Sequence, residues 1–533
     1  MKSKIFTDFL DLISESPNSI KSLRSYILKL AVQGKLVNQK LEYFPPDCYT
    51  NKVQYSPLRP SETPFDLPTN WKWERLGNVC SYIQRGKSPN YVDISEYPVI
   101  SQKCVQWKGF DVSKARYIEP KSIPNYEEER FLKNGDLLWN STGDGTIGRI
   151  NIYTNEKHRF KNVVADSHVT VLRLFKLEPR FVFTYIASPY VQSKISELSS
   201  GTTKQTELNT STVKSLPIPV PPIEEQKRIV EKVDQLMTLC DELEARQEKQ
   251  THTLRQLNDA SLHALFSASS PKEFEKHWKR IIVNFNLLYG DLENLTKLRQ
   301  AIFDLAFSGK LSKQWRNKQR NENIAVHSNQ NVSAANNLYP VGWRLEPLHT
   351  IASVGTGATP LTTNPQYYSA GTINWVTSSS TSLPFVTQPD KLITKTAIQE
   401  TNCKIFPCGT LIVAMYGQGK TRGQISELQI PAATNQALAA IQLHLLDDYH
   451  KRYVKYFFQK IYSEIRKLAS GGAQPNLNLN IIKSTLIPIP PPDEQKYIAD
   501  KIEALLCICD ALEEKIKTKS AHLETLTASI LAH

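Results

Sequence analysis

The sequence is poor in cysteine and has no long hydrophobic run. Eight cysteines among 533 residues include no Cys-x-x-Cys pair, and Cys507 and Cys509 fall on the apolar part of a helical pattern. We therefore expect reduced, buried thiols rather than disulfides or metal ligands. No stretch reaches the roughly 18 apolar residues of a membrane span, and the first residues lack the apolar core of a signal peptide. The expected protein is soluble and cytoplasmic.

A recognisable set of catalytic or metal-binding residues is also missing. The 11 histidines are scattered, His158 and His168 are not spaced as zinc ligands, and no His-Glu-x-x-His motif occurs. The Pro-Pro pairs lack the flanking residues of an adenine methyltransferase motif. The serines at 199–200 and 378–380 have no base that the sequence identifies. A triad assembled from distant residues stays open, but we predict no catalytic residue and no metal ligand.

Two glycine-rich stretches resemble nucleotide sites. Residues 143–148 read Gly-Asp-Gly-Thr-Ile-Gly, and residues 414–421 read Ala-Met-Tyr-Gly-Gln-Gly-Lys-Thr. A phosphate loop needs a helix directly after it, because the N-terminal amides of that helix bind the phosphate. Strand-like residues follow both stretches, so we predict two glycine-rich hairpins. A nucleotide-dependent enzyme built on Lys420 and Thr421 remains an alternative.

The net charge of +13 is unevenly distributed along the chain. Residues 71–215 carry 21 Lys and Arg against 15 Asp and Glu, and residues 343–487 carry 13 against 7, so each block has a net charge of +6. Residues 488–533 carry 5 against 8 and are acidic. Two separated basic blocks favour a polyanionic partner such as nucleic acid.

A proline stop followed by a long helix occurs twice. Residues 488–512 repeat the pattern of residues 219–243 at a constant distance of 269 positions, including a Pro-Pro-x-x-Glu-Gln motif. The apolar positions of both helices alternate in steps of four and three, which predicts a narrow seam that pairs with another helix. The simplest partner for one copy is the other copy. The pairing residues would be Ile229, Val233, Leu236, Cys240 and Leu243, with Ile498, Ile502, Leu505, Cys509 and Leu512.

The rest of the chain is duplicated as well. A helix from about Ile20, with Gly34 as its C-terminal cap, returns 275 positions later with Gly309 as its cap. Both basic blocks show short strand patterns between Gly, Pro and Asn, which is typical of a mixed α/β (α+β) fold. The sequence therefore predicts five parts: 1–70, helical with a linker; 71–215, the first α/β block; 216–342, helical with an Asn-rich linker; 343–487, the second α/β block; and 488–533, the last long helix.

The expected binding chemistry lies in the loops of the two blocks. Lys and Arg neutralise phosphates, while Arg, Asn and Gln form paired hydrogen bonds with base edges. Residues of these types recur at matching loop positions in both blocks. The candidates for DNA contact are Arg85, Lys87, Arg149, His168, Lys204, Gln205, Lys420, Arg422, Asn435, Gln436, Gln474, Asn476 and Asn478.

The repeated run Pro-Val-Pro-Pro-Ile-Glu-Glu-Gln-Lys-Arg-Ile-Val resembles the signature of type I restriction–modification specificity subunits. The Trp-Lys-Trp-Glu-Arg-Leu-Gly opening at Trp71 and the Gly-x-Ser/Thr-Pro step after each opening are also typical of that family. The helix ahead of the first block resembles the members with a longer N-terminal region. The second opening, at Trp343, is more degenerate. The resemblance covers nearly the whole chain.

This resemblance implies a division of labour. Residues 71–215 and 343–487 would be target-recognition domains, each reading one half of a bipartite sequence in double-stranded DNA. The long helices would form an intramolecular antiparallel coiled coil that sets the gap between the half-sites and docks two methyltransferase subunits. The chain itself would hold no cofactor and no active site. Partner subunits would use S-adenosylmethionine to methylate, and ATP with magnesium to translocate and cut. A protein-binding coiled-coil adaptor remains the other alternative.

Overall fold

The computed structural model describes residues 19–39, 55–143, 145–155, 160, 162–199, 207–322, 339–417, 420–468 and 477–532. The chain forms two compact units. The first unit consists of Met1–Gln250 and Ser520–His533, and the second of Thr251–Lys519. Both boundaries fall inside long helices and not at the edges of the five predicted parts. That five-part division stays a prediction.

The first unit begins with a helix and then alternates short strands with short helices. Its strands are β1 (Lys72–Arg75), β2 (Cys80–Arg85), β3 (Tyr91–Val92), β4 (Pro98–Ile100), β5 (Val105–Gln106), β6 (Gly109–Phe110), β7 (Arg116–Ile118), β8 (Leu137–Asn140), β9 (Ile150–Ile152), β10 (Val164–Ala165), β11 (Val169–Leu174) and β12 (Pro217–Val220). Its helices are α1 (Ser19–Val32), α2 (Pro179–Ile186), α3 (Pro189–Gln192), α4 (Ile195–Leu198), α5 (Thr210–Ser215) and the first part of α6 (Ile223–Phe266).

Two four-stranded sheets make up most of the first unit. One is antiparallel, in the order β2-β11-β8-β9, and the other has the order β10-β4-β7-β3 with β10 parallel to β4. Side chains alternate between the faces of a strand, and β8 is buried on both faces. Leu137 and Trp139 pack in one apolar cluster with α2, while Leu138 packs in another with Val171. The sheet is thus fixed on both sides, and its loops project from a rigid base.

The second unit repeats this order of elements. Its strands are β13 (Arg344–Pro347), β14 (Ala352–Thr356), β15 (Ile373–Val376), β16 (Phe385–Val386), β17 (Lys391–Ile393), β18 (Ile405–Phe406), β19 (Leu411–Ala414), β20 (Ile425–Leu428), β21 (Ala432–Thr434), β22 (Leu438–Leu443) and β23 (Leu486–Ile489). Its helices are the end of α6, then α7 (Pro271–Val283), α8 (Phe285–Leu288), α9 (Leu292–Phe307), α10 (Lys313–Glu322), α11 (Leu348–Ile351), α12 (Lys395–Glu400), α13 (Asp448–Lys460), α14 (Tyr462–Leu468), α15 (Leu479–Lys483) and most of α16 (Pro492–Ala532).

The sheets of the two units share their central strand order and differ in their outer strands. The order β14-β22-β19-β20 matches β2-β11-β8-β9, and β16 extends it by one strand. In the other sheet β15 pairs in parallel with β21, as β4 does with β10. The tandem mixed α/β prediction is therefore confirmed. The strand patterns of the sequence at 97–100, 136–140, 148–153 and 169–175 appear as β4, β8, β9 and β11, each within one or two residues of the predicted ends.

In each unit a two-stranded ribbon and a buried glutamate connect the first strand to the start of the long helix. β1 pairs antiparallel with β12, and β13 pairs with β23, so the proline run before each long helix lies against the strand that opens the unit. Glu225 is fully buried and accepts a hydrogen bond of 3.0 Å from Trp71 Nε1. Glu494 accepts the equivalent bond, also 3.0 Å, from Trp343 Nε1. In each unit the tryptophan of the opening therefore binds directly to the glutamate of the Pro-Pro-x-x-Glu-Gln motif.

The glutamine of the same motif donates a hydrogen bond to a carbonyl of the proline run. Gln226 Nε2 donates to Pro221 O at 2.8 Å, and Gln495 Nε2 donates to Pro490 O at the same distance. Proline has no amide hydrogen to donate, and its carbonyl still needs a partner when it is buried. The glutamine supplies that partner in both copies.

The seam of the long helices packs differently from the prediction. Ile229, Val233 and Cys240 of α6 are buried in one cluster with α1, and Ile498, Ile502 and Cys509 of α16 lie in the cluster that contains α9. In the structure these seam residues therefore pack against the short helix of their own repeat. A sequence pattern shows that a helix needs a partner but does not say which helix it is. The remaining predicted seam residues, Leu236, Leu243, Leu505 and Leu512, are partly buried against the same clusters.

Matching ion pairs accompany this packing. Arg24 of α1 pairs with Asp241 at 2.7 Å and with Glu244 at 2.9 Å. At the equivalent positions of the second unit, Arg299 of α9 pairs with Asp510 at 2.7 Å and with Glu513 at 2.9 Å. The short helices also end as predicted, because Gly34 and Gly309 have φ values of +70° and +71°. That left-handed conformation suits a glycine C-cap.

Three smaller expectations need correction. Cys507 is exposed, as is Cys408, whereas the other described cysteines are buried. The seam phase places Cys509, two positions later, towards the core, and Cys507 then faces outward. The sequence also predicts a single helix over 179–198, whereas the structure has α2, α3 and α4 there because Pro189 interrupts the pattern. The expected Asn-rich linker from about 317 begins inside α10, and its residues 323–338 lie outside the described residues.

Candidate nucleic-acid interface

Three loops of the first unit meet at one end of its strands. They are the loop after β2 (86–90), the glycine-rich hairpin loop between β8 and β9 (141–143 with 145–149), and the turn between β10 and β11 (166–168). Ser141 N donates to His168 O at 2.9 Å, and Thr142 Oγ1 lies 2.6 Å from His168 Nδ1. Ser88 Oγ and Ser167 Oγ are 2.7 Å apart. We call these three loops the three-loop surface of the unit.

The second unit carries an equivalent three-loop surface, formed by residues 357–361, 415–417 with 420–424, and 435–437. Met415 N donates to Ala437 O at 2.7 Å, as Ser141 N does to His168 O in the first unit. Thr359 Oγ1 donates to Gln436 Oε1 at 2.6 Å, which matches the Ser88 contact with Ser167. The backbone arrangement is thus repeated, while the side chains that contact one another differ.

Glycine is needed at one point of each three-loop surface. A Cβ on Gly86 would lie 2.0 Å from Ala165 O, and a Cβ on Gly357 would lie 1.8 Å from Thr434 O. Either distance is far below van der Waals contact, and the obstacle is backbone, which cannot rotate away. Because Gly86 and Gly357 have no Cβ, the loop after β2 packs directly on the backbone at the end of β10. The loop after β14 packs in the same way on the end of β21.

A buried carboxylate organises the turn of the first unit. Asp166 accepts hydrogen bonds from His168 N at 3.0 Å and from the Tyr91 hydroxyl at 2.8 Å. Burial and the Asp166 carboxylate raise the pKa of Tyr91 to about 12, so its hydroxyl remains a proton donor at neutral pH. The equivalent position in the second unit is Asn435, whose Oδ1 accepts from Ala437 N at 3.2 Å. The two turns therefore differ in charge.

The candidates of the first unit fall into two groups. Lys87 and His168 are exposed, and the Lys87 ammonium lies 5.8 Å from the centre of the Tyr126 ring. Arg85 instead forms an ion pair with Glu207, and Arg149 donates to Gln106 Oε1 at 3.0 Å and to Gly145 O at 2.7 Å. Lys87 and His168 can reach a ligand directly, whereas Arg85 and Arg149 position loops. Lys204 and Gln205 lie outside the described residues.

The candidates of the second unit divide in the same way. Lys420 and Gln436 are exposed, and Asn435 and Arg422 are half-buried. Asn478 caps α15, because its Oδ1 accepts from Ile481 N at 2.9 Å. Its side chain therefore has a structural role that the loop pattern did not reveal. Gln474 and Asn476 lie outside the described residues.

The glycine-rich stretches are hairpins, as predicted. β9 follows the first stretch and β20 follows the second, and each pairs antiparallel with the strand before it. Gly143, Gly145 and Gly148 have φ values of +102°, +72° and +85°, which are conformations for a tight loop. No helix begins after either stretch, so neither loop has the helix N-terminus that a phosphate loop requires. The nucleotide-dependent alternative has no structural support at Lys420.

The part of the chain that the structure describes holds neither a metal-binding cluster nor a membrane-spanning helix. Within it, no group of three or more His, Cys, Asp and Glu side chains is arranged to hold a metal ion. No helix in the same residues combines the length and the apolar character needed to cross a membrane.

Comparison with known proteins gives a consistent result. The family model described as "Type I restriction modification DNA specificity domain" matches residues 68–251 and 340–519. The chain is 24% identical to the type I restriction enzyme EcoEI specificity subunit of Escherichia coli, over 94% of this chain and 91% of that protein. It is 22% identical to the EcoKI specificity subunit of E. coli K12, over 87% and 88% of the two chains. A solved chain from a study of complex assembly and conformational transition in the type I R-M system has the same fold, with a TM-score of 0.52 at 17% identity, over 88% of this chain and 98% of that one.

Proposed function

The chain belongs to the type I restriction–modification DNA specificity family, and from this premise we propose how its two units divide the reading of DNA. It is the DNA sequence-specificity subunit of a type I restriction–modification system. We infer that the first unit reads one half of a bipartite site and the second unit reads the other half. The three-loop surface of each unit is the reading surface in this proposal.

One observation carries the proposal: the same three-loop surface is built twice on the same central strand order, with different side chains at equivalent positions. The Asp166 position of the first unit is Asn435 in the second, and the Ser167 position is Gln436. A shared backbone supports a shared way of approaching DNA, and unequal side chains support unequal base sequences. The net charge of +6 on each of the blocks 71–215 and 343–487 supports binding to phosphates.

We further propose that the chain is non-catalytic within the complex. Two methyltransferase subunits would supply adenine methylation with S-adenosylmethionine, and motor-nuclease subunits would supply cleavage with ATP and magnesium. The exposed faces of α6 and α16 would carry the docking surface. The same two helices would pair antiparallel over their remaining length and set the gap between the half-sites.

The decisive experiment exchanges one reader at a time. Residues 343–487 are replaced by the corresponding block of another specificity subunit, and the methylated motif is mapped by methylation-sensitive sequencing of cells that carry the complete system. We expect one half-site to change and the other to stay the same. The matched control replaces residues 71–215 and should change the opposite half-site. A change in both half-sites, or in neither, contradicts the proposal.

A further inference from the structure

A small hairpin beside the three-loop surface of the first unit presents an exposed tryptophan. β5 and β6 pair Val105 with Phe110 and Gln106 with Gly109, which leaves Trp107 and Lys108 as the two-residue tip. The base of the hairpin is well packed, because Cys104 and Val105 are fully buried and Phe110 packs against the same apolar cluster. The hairpin is thus a short, rigid projection and not a loose loop.

Trp107 differs from the other tryptophans of its unit. It is 44% exposed, whereas Trp71 and Trp139 are 7% and 0% exposed. The indole nitrogen of Trp139 donates to Gly148 O at 3.1 Å, and that of Trp71 donates to Glu225. Trp107 therefore places a large aromatic surface in solvent at the end of a packed element. Lys103 and Lys108 are exposed on either side of it in the sequence.

The hairpin is tied to the three-loop surface by side chains of the glycine-rich hairpin. Arg149 Nη1 donates to Gln106 Oε1 at 3.0 Å, and Asn151 Nδ2 donates to Gln106 O at 2.7 Å. Asn140 Nδ2 donates to Gln102 O at 2.9 Å. These three bonds hold the segment before the tip and the base of the tip against β8 and β9. Arg149 is therefore a positioning residue for the hairpin.

The second unit has a different structure at this place. Between β15 and β16 it carries the short 3-10 helix Ser378–Ser382, followed by Leu383, which is 61% exposed. Residues 377–384 contain no Lys, Arg or aromatic residue, and the aromatic residue that follows, Phe385, lies within β16 with the Lys455 ammonium 3.7 Å from the centre of its ring. Asp390 accepts hydrogen bonds there from Thr377 Oγ1 at 2.8 Å and from Ser380 Oγ at 2.6 Å. Among the described residues, the cationic aromatic hairpin is thus found in the first unit, and the equivalent segment of the second unit has another structure.

We propose that Trp107 wedges its indole ring against a base step in the half-site of the first unit, while Lys103 and Lys108 bind the flanking phosphates. This inference rests on the proposed function. Exposed aromatic rings stack on bases without a strict sequence requirement, and large apolar side chains can partly unstack a base step. Two nearby ammonium groups favour the phosphates that border such a step. The second half-site would be read without a wedge.

The wedge can be tested with the full-length chain and duplex DNA. A randomised duplex pool is first enriched on the wild-type protein, and the enriched duplex then serves as the probe. We expect Trp107→Ala to weaken binding of that duplex by about 5- to 150-fold, the range that stacking on one base gives, and Trp107→Phe to restore most of it. The control is Ile94→Ala, which removes another exposed apolar side chain of the unit and should leave affinity unchanged.

A second measurement needs no variant. The fluorescent adenine analogue 2-aminopurine is placed at successive positions of the enriched duplex, and its emission rises when a neighbouring base is unstacked. We expect wild-type protein to raise the emission at one step of one half-site only. Unchanged emission at every position overturns the wedge, as does an alanine variant that is folded and binds within twofold of wild type. If the wild-type chain enriches no sequence at all, the proposed function fails, and the wedge fails with it.

Discussion

At the scale of single residues, the buried glutamate of each Pro-Pro-x-x-Glu-Gln motif has the same structural role in both units. Glu494 is 2% exposed and receives hydrogen bonds from Trp343, from Ser312 Oγ at 2.7 Å and from Arg316. A buried carboxylate is stable only when its oxygens are fully hydrogen-bonded. Trp343 lies just before β13, and Ser312 and Arg316 lie at the start of α10. Glu494, at the start of α16, therefore joins three segments of the second unit.

Removing this carboxylate should strongly destabilise the fold. We expect Glu494→Ala to lower the free energy of unfolding by about 3–5 kcal/mol, because the largely buried Arg316 guanidinium would lose its counter-charge. The control is Glu503→Ala, whose side chain is 60% exposed in its pair with Arg452, and which should cost no more than about 1 kcal/mol. Urea denaturation followed by tryptophan fluorescence compares the two. Equal losses would contradict the assigned role of Glu494.

The other residue-scale prediction concerns acid. The Arg59 amide and the Arg75 side chain donate to Glu62, and these bonds lower the pKa of Glu62 to about 2. A carboxylate with a lowered pKa stabilises the fold above its unfolded pKa, near 4.5, and loses that contribution as the pH falls towards 2. The difference in urea midpoint between wild type and Glu62→Gln should therefore shrink from pH 6 to pH 3. A difference that stays constant over this range would rule the effect out.

At the scale of elements, the sequence predicted those features that depend on local pattern. The long helix from about 224 to 266, the C-cap glycines and the strands β8 and β9 follow from periodicity and from glycine conformation. What it missed depends on distant partners. Arg85 pairs with Glu207, and Arg149 pairs with Gln106, far away in the sequence. Loop residues that looked free to bind DNA are therefore held by side chains that only the fold brings near.

The packing of the seam gives the element-scale prediction. Ile229 is fully buried in the cluster of α1 with α6, while Leu239 of the same helix is 50% exposed. We expect Ile229→Ala to lower the free energy of unfolding by about 2–5 kcal/mol, because it leaves a cavity between the two helices. Leu239→Ala should cost about 1 kcal/mol or less, because much of its surface is already in water. Similar costs at both positions, measured by urea denaturation, would contradict the packing of α1 on this seam.

At the scale of the whole molecule, two basic blocks should make DNA binding strongly dependent on salt. Each phosphate contact contributes about 0.9 to the slope of log K against log salt concentration. We expect Lys87→Ala and Lys420→Ala each to reduce that slope by about this amount on a duplex of any sequence. Lys227→Ala on α6 is the control, because that lysine pairs with Glu224 on the helix and should not alter the slope. Affinity that does not respond to salt would favour a protein-binding adaptor instead.

The long helices give the last prediction. Deleting residues 245–251 from α6 together with 514–520 from α16 removes one heptad from each and keeps the partners of Arg24 and Arg299. Seven residues correspond to about 10 Å of helix, or about three base pairs of DNA. If the helices set the spacing, as proposed, the mapped motif should keep both half-sites and lose about three base pairs from the gap. The control replaces the same two heptads by others of equal length, which should leave the gap unchanged. A deletion that alters the bases within a half-site, and not the gap, would show that these helices take part in reading.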